Sequence, residues 1–377
     1  MPARRGVLLT ARSIEALIVG SHLRWSGVWQ RPNHVLTRLS QRVPVLVVEE
    51  PLAADTDTNV LASIDGITVL TPHRVHASDA VDGAAVGAAL DWLRYRQAGV
   101  WLYTPMMLPL ATPFGGAPIV YDKMDQLGAF LGADPRLSAR EDALLERAAV
   151  VFAGGASLWR SVEKRVRRGL PLPSGVDVAH FAAAVHARPH EALFGLRRPV
   201  FGYIGVIDER LDLHLIEQLA DARPDATIVM VGPVAKIAPD SLPRRPNIVY
   251  LGQRTYAELP NLLAGFDVAL MPFAIGPATE FISPTKTLEY LAAACPVVST
   301  PVADVVKAFV DVVRFAATPE SFIAAVAEAE RGPRKAYDAE TGLAAELSWD
   351  GIVARMLDEL AEAGILLEAP MALRGSY

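Results

Sequence analysis

Phe281-Ile282-Ser283-Pro284-Thr285-Lys286-Thr287-Leu288-Glu289-Tyr290, continuing as Leu291-Ala292-Ala293-Ala294-Cys295-Pro296-Val297-Val298-Ser299-Thr300, stands between one short apolar run at 268–271 and another at 297–299. Short apolar runs separated by helical segments are the pattern of a parallel sheet covered on both faces. Ser283 is a favoured N-cap and Pro284 suits the first helical position, where its missing N–H is no loss, so a helix is predicted to open here. The amides of Thr285 and Lys286 would then point outward. With the helix dipole and the Lys286 ammonium they make a site for a phosphate or pyrophosphate. Glu289 follows one turn later, where a carboxylate can accept hydrogen bonds from two vicinal ribose hydroxyls. Phosphate and ribose together mean a nucleotide. Spacing alone equally fits a plain capped helix in which Lys286 and Glu289 pair in solvent.

The same alternation extends over nearly the whole chain. Strands are predicted at 16–20, 43–48, 67–70, 100–103, 119–121 and 150–153, with helices including 31–42 and 138–149, and then at 200–204, 227–231, 248–251, 268–271 and 297–299. At about 150 residues per domain, 377 residues suggest two domains and a tail. Residues 182–199 hold two prolines, two histidines and three arginines with little periodicity, which marks a linker. The expected fold class is therefore α/β, with two Rossmann-like doubly wound domains facing across a cleft. The expected boundaries are 1–185, a linker at 186–198, 199–347, and a closing helix and tail at 348–377 that packs back toward the first domain. Ile352, Met356 and Leu360 carry the helical periodicity over 348–367, and the residues after Pro370 are expected to be loosely held.

Composition narrows the function classes. The chain is 51% hydrophobic and 21% charged, which suits a globular protein and not a disordered one. Its 36 Lys and Arg against 42 Asp and Glu argue against a nucleic-acid partner. The single cysteine, Cys295, excludes an internal disulfide and a Cys-cluster metal site and fits a reducing cytosol. Arg12 and Glu15 interrupt the apolar start, so no signal peptide is expected, and no stretch reaches the roughly 18 apolar residues of a membrane span. A cytoplasmic protein is the expectation, with peripheral membrane contact left open and the oligomeric state unspecified.

The segment from Ser283 closely resembles the donor-nucleotide motif of GT-B glycosyltransferases, in particular retaining, family-four-like bacterial enzymes with an S-P-x-K-x-x-E-Y-L-A-A-G-x-P-V-V-S-T pattern. The resemblance extends over about residues 19–356. It implies diphosphate contact by Lys286 and ribose contact by Glu289. Gly202-Tyr203-Ile204-Gly205-Val206-Ile207-Asp208-Glu209-Arg210 resembles the turn that faces the donor phosphates, which implies Gly205 and a second cationic contact at Arg210. The Leu251-Gly252-Gln253-Arg254-Thr255-Tyr256 turn resembles the one that receives the base, with Gly252 and Gln253 as candidates, whereas Tyr256 and Leu259 fit a core face. In the first domain, residues 21–34 are unusually dense in polar and aromatic side chains. They resemble the family's S-H-x-R-W…W-Q-R-P-x-H stretch, so His22, Arg24, Trp25, Trp29, Arg31 and His34 are assigned to the acceptor side of the cleft, His34 having a structural role as its alternative. Tyr121-Asp122-Lys123-Met124-Asp125-Gln126-Leu127 resembles Y-D-x-M-D-E-L. There Asp122 or Asp125 would orient the acceptor hydroxyl or act as base, unless Asp125 caps the next segment. Asp122 and His22 join Arg210 and Lys286 as catalytic candidates.

The match departs from the pattern in three places, one of them Lys123 and Gln126, which stand where the Y-D-x-M-D-E-L turn usually has other polar residues. Glu280 stands nine residues before Glu289, one out of register for E-x7-E, so donor-sugar contacts fall to Glu280 itself or to the backbone of 279–282, including Ile282, beside Ser283 and Thr285. Ala294 replaces the usual glycine at a helix C-terminus. The resemblance implies transfer of a sugar from a nucleoside diphosphate (UDP or dTDP) to a hydroxyl acceptor, with retention and without metal or cofactor. Asp55-Thr56-Asp57 is formally a D-x-D metal signature, but it lies in a polar loop and is discounted. The alternatives are a catalytically silent nucleotide-sugar-binding partner protein and a GT-B epimerase or phosphorylase.

Overall fold

The alternating pattern becomes two sheets, parallel but for one edge strand of the first, in the computed structural model, which describes residues 12–77, 79–94, 96–334 and 346–368. The first sheet has nine strands among the described residues. Its buried centre runs in the order Ile119–Lys123, Ala98–Leu102, Ala16–Ser21, Val45–Glu49 and Ile67–Arg74. The second has six, ordered Ile248–Gly252, Thr227–Val231, Val200–Ile204, Val268–Met271, Val297–Ser299 and Val313–Phe315. Both sheets reverse their strand order beside their first strand, and in doubly wound sheets the crevice at such a switch point takes the ligand. In the second domain that crevice opens beyond Ile204 and Met271, on the turns holding Gly205 to Arg210 and Phe273.

Several elements depart from expectation, mostly at edges. Thr58–Ile64 pairs antiparallel with Ile67–Arg74 and is exposed along nearly its whole length, so it shows no apolar run. Gly169–Pro171 and Val313–Phe315 are three-residue edge strands. The closing helix is Trp349–Glu362 and stops short of 367: Ile365–Leu367 leaves it to pair in parallel with Arg12–Ile14. The expectation of a loose end after Pro370 lies outside the described residues.

The closing helix joins the two domains physically. Trp349, Ile352, Val353, Met356 and Leu360 are buried in a core shared with Leu17, Val19 and Trp101 of the first sheet and with Val35 and Leu36 of the helix Arg31–Leu39. The Ser348 hydroxyl accepts from the Gly351 amide at 3.0 Å, so a side-chain cap starts the helix where the chain returns. In the opposite direction, Val176, Phe181 and Ala184 already sit in the core of the second sheet. No helix among the described residues is long and apolar enough to cross a membrane.

Candidate active site

The helix that carries the motif is Thr285–Ala292, and its N-cap is Pro284, without a side-chain cap. Ser283 therefore does not cap it. The Ser283 hydroxyl accepts instead from the Ser174 amide of the facing segment at 3.4 Å. Starting at Thr285 still leaves the first amides of the helix unpaired within it, so the anion-binding end is kept. Lys286 Nζ donates to Glu289 Oε2 at 2.9 Å and to Thr285 Oγ1 at 3.2 Å. Glu289 is only 4% exposed, so this is a pair held beneath the cleft and not a solvated one.

Backbone close to bare forms the floor. The Tyr290 hydroxyl accepts from the Ile204 amide at 2.9 Å, which ties the helix to the end of the central strand. At Gly205, φ is +158° and an added Cβ would lie 2.5 Å from the Tyr203 hydroxyl; at Gly232 it would lie 1.8 Å from the Gly205 carbonyl. Two strand ends can approach this closely only as glycines. Arg210 is gripped by Asp208, with Nη2 to Oδ2 at 2.7 Å. Burial opposes its charge, but Asp208 and the nearby Asp125 hold its pKa above the usual range.

Two connected chambers open above this floor. The larger has Gln30, Arg31 and Asp125 of the first domain facing Gly205, Arg210, Ile282, Ser283, Thr285 and Lys286 of the second. The smaller is lined by Gly232, Pro233, Gln253, Arg254, Tyr256 and Trp29. Val28, Gly205 and Lys286 line both, so the lysine stands at their junction.

The first-domain candidates divide. Arg31 and Asp125 reach the larger chamber and Trp29 the smaller. Asp122 does not act from there: its carboxylate is wholly buried and is bound by the Arg31 guanidinium at 2.9 Å. Burial raises its pKa and Arg31 pulls it down, and an acid spent on this pair is not available as a base. Arg24 pairs with Glu49 at 3.1 Å, and the other Glu49 oxygen accepts from the Trp25 amide at 2.7 Å, so both residues hold the loop onto the sheet. His34 is buried, stacked on Trp349 with ring centroids 4.6 Å apart, and accepts at Nδ1 from Trp29 Nε1 at 3.3 Å. Burial, then the charges of Arg38, Lys286 and His180, pull its pKa down to about 2, so it is neutral. This is the structural alternative for His34. His22 lines neither chamber; burial and Lys236 pull its pKa down to about 4.

On the second-domain side, Gln253 faces the smaller chamber. Gly252, with φ at +67°, makes the turn beside it and accepts from the Gly232 amide at 2.9 Å. Glu280 is exposed and lines neither chamber, while Thr279 is buried and its hydroxyl is turned back onto its own loop. Val28, Gln30, Tyr203, Phe273, Ser174 and Arg254 were not expected as lining residues. Gln30, Tyr203 and Arg254 lie within stretches that carried a sequence signal without being singled out, and Gly232-Pro233, a turn dipeptide after a strand, joins them in the smaller chamber. Among the described residues no three His, Cys, Asp or Glu side chains cluster so as to hold a metal ion. Asp57 of the D-x-D sequence accepts from the Val75 amide at 2.8 Å.

Comparison with known proteins bears on the fold and on the kind of protein. Residues 198–330 match the family model described as Glycosyl transferases group 1. A Bacillus subtilis protein named as a teichuronic acid biosynthesis glycosyltransferase, TuaH, is 27% identical over 217 residues, 53% of this chain and 55% of the relative. The match thus spans about half the length of that curated relative. Among solved structures, a sucrose-phosphate synthase from Thermosynechococcus elongatus superposes with a TM-score of 0.72 at 11% identity, covering 92% of this chain and 98% of the other. Anabaena HepE in complex with UDP and glucose superposes with a TM-score of 0.66 at 15% identity, covering 92% and 99%. The two Rossmann-like domains of this chain are those of the GT-B fold.

Proposed function

We propose that this chain, whose second domain matches the group 1 glycosyl transferases and whose two domains form a GT-B fold, transfers a hexose-like sugar from a nucleoside diphosphate, UDP by preference, to a hydroxyl acceptor. One observation carries the reading: Lys286, at the amino end of its helix, stands where the two chambers meet. A diphosphate at that junction would place the nucleoside in the smaller chamber and the sugar in the larger, facing the acceptor domain. UDP bound to structural neighbours supports the choice of nucleotide.

Departure of the diphosphate is the hard step. The C–O bond from the sugar to the leaving phosphate breaks, a C–O bond to the acceptor oxygen forms, and the acceptor proton passes to a leaving phosphate oxygen. Charge developing on the diphosphate would be met by the amides at Thr285 and Lys286, the Lys286 ammonium and Arg210, a preorganised set that does the work a metal ion does elsewhere. Glu289 holds Lys286 in position, and ribose hydroxyls arriving at its carboxylate would free the ammonium to turn to phosphate. Asp125 is the carboxylate facing the larger chamber and orients the acceptor. With Asp125 assigned to the acceptor and no other carboxylate lining either chamber among the described residues, front-face attack with retention is the reading adopted, and transfer is metal-independent. Closure about the linker at 186–198 would exclude water.

The test is a panel of UDP- and dTDP-sugars offered with hydroxyl acceptors in EDTA. The expected result is nucleotide release that depends on the acceptor, with a product of retained anomeric configuration by NMR. Binding of UDP-sugars without turnover on any acceptor would favour a silent binding protein instead.

A further inference from the structure

The smaller chamber is not a property of the second domain alone. Its inner walls are Gly232, Pro233, Gln253 and Arg254, but Val28 and Trp29 close it from the first domain. Trp29 is not there by loose contact. Its ring lies 5.7 Å from the Tyr256 ring, centroid to centroid and 31° from parallel, across the domain boundary. Its indole N–H donates to His34 Nδ1 at 3.3 Å, and His34 is stacked at 4.6 Å on the buried Trp349 of the closing helix. On the far side, Tyr256 is stacked at 4.2 Å on His180, whose Nε2 meets the Tyr256 carbonyl at 2.9 Å. Five rings thus run continuously from the closing helix, through the first-domain loop, to the second domain and the segment leading into the linker. Such a ladder fixes one indole orientation, and a fixed indole beside a chamber lined by glycine backbone and an amide side chain suits a planar base.

We infer that Trp29, on the domain opposite the nucleotide-binding helix, is a wall of the nucleoside pocket, so that the donor's base is held by both domains and not by the second alone. This rests on the nucleotide reading above and moves Trp29 from the acceptor side to the donor side. It also explains how donor binding can favour the closed arrangement: the base gains its second wall only when the loop of residues 28–30 is in place, so its contact energy is lost on opening.

The experiment compares UDP with inorganic pyrophosphate as probes, by calorimetry on the full chain. Trp29→Ala is expected to weaken UDP roughly tenfold or more while leaving pyrophosphate affinity unchanged, because only the base has lost a partner. Trp29→Phe, which keeps an aromatic face without the indole N–H, is expected to stay within a few-fold of wild type for UDP and to fold as wild type does. Lys286→Ala is expected to weaken both probes. If both Trp29 variants bind UDP as wild type does while Lys286→Ala loses it, the inference is overturned and the nucleotide reading stands. Equal loss of UDP and pyrophosphate on Trp29→Ala would also overturn it, since the indole would then only support the phosphate end. If the wild-type chain binds neither UDP nor dTDP, the nucleotide reading falls and the inference with it.

Discussion

The two walls of the cleft obey different logic. On the second-domain wall, residues 283–289 use their chemistry where they stand: a helix end, a lysine at the junction of two chambers and a carboxylate beneath it. On the first-domain wall, residues 22–34 are richer in charged and aromatic side chains, yet most of that richness is turned inward. Arg24 and Trp25 are tied to Glu49, Arg31 to Asp122, and His34 to Trp349. A polar side chain near a ligand cleft is therefore weak evidence of ligand contact when the loop bearing it needs anchoring. A helix N-terminus at a switch point is stronger evidence, because its amides have no other use.

This contrast can be broken first at the Arg31–Asp122 pair, where the largest effect is expected. Arg31→Ala would strand a fully buried carboxylate and cost about 3–5 kcal/mol of folding stability in denaturant unfolding. A loss under 1 kcal/mol would mean that Arg31 serves the cleft more than the fold. The opposite signature is expected at Lys286. Lys286→Ala should weaken UDP binding by about 1.5–3 kcal/mol, and, although it leaves the buried Glu289 carboxylate without its ammonium, it should destabilise the fold less than Arg31→Ala does, because this pair lies at the cleft and not in a core. Unfolding without a binding defect would turn the second wall into a copy of the first.

His34 sharpens the comparison through pH. Its folded pKa is depressed to about 2, below the value of about 6.5 for an unfolded histidine. The unfolded chain therefore takes up this proton first. The stability His34 contributes is complete above about pH 6.5 and is lost as pH falls below it, by about 1.4 kcal/mol per unit. Between pH 7 and pH 5, His34→Phe should gain about 2 kcal/mol relative to wild type in unfolding experiments; parallel stability curves would show that the imidazole is not held neutral.

The smallest effect concerns Ala294, which stands with φ at +54° where the related motif has glycine. Its amide and that of Cys295 close the helix by donating to the Leu291 and Tyr290 carbonyls at 3.0 and 2.9 Å. An alanine in this conformation is strained, so Ala294→Gly should raise stability by about 1 kcal/mol without altering UDP affinity. A destabilised variant would show that the buried methyl group outweighs the strain.

These differences explain what could be read in advance. The central strands were legible because burial on both faces makes them continuous apolar runs, as at 150–153 and 227–231. Thr58–Ile64 was not, since an exposed edge strand carries no such run, and neither was Ile365–Leu367, whose partner lies more than 350 residues away in the chain. In the site, Lys286 was legible because local geometry places it, at a strand end and then a helix start, whereas Gly205, Arg210 and Gln253, which also line the chambers, were named through the family resemblance. Ser283 was off by one residue because its hydroxyl had a competing partner, Ser174, in the other domain. The partners of Asp122 and His34 were hidden for the same reason. Spacing in one segment says nothing of Arg31 or Trp349, which tertiary folding brings from elsewhere.

The most direct measurement is a crystal structure of the chain with UDP. The account predicts the two phosphates at the Thr285 and Lys286 amides, with the Lys286 ammonium turned from Glu289 to phosphate and ribose hydroxyls on the Glu289 carboxylate. A nucleotide lodged elsewhere, with the Lys286–Glu289 pair intact and the helix end unused, would contradict it.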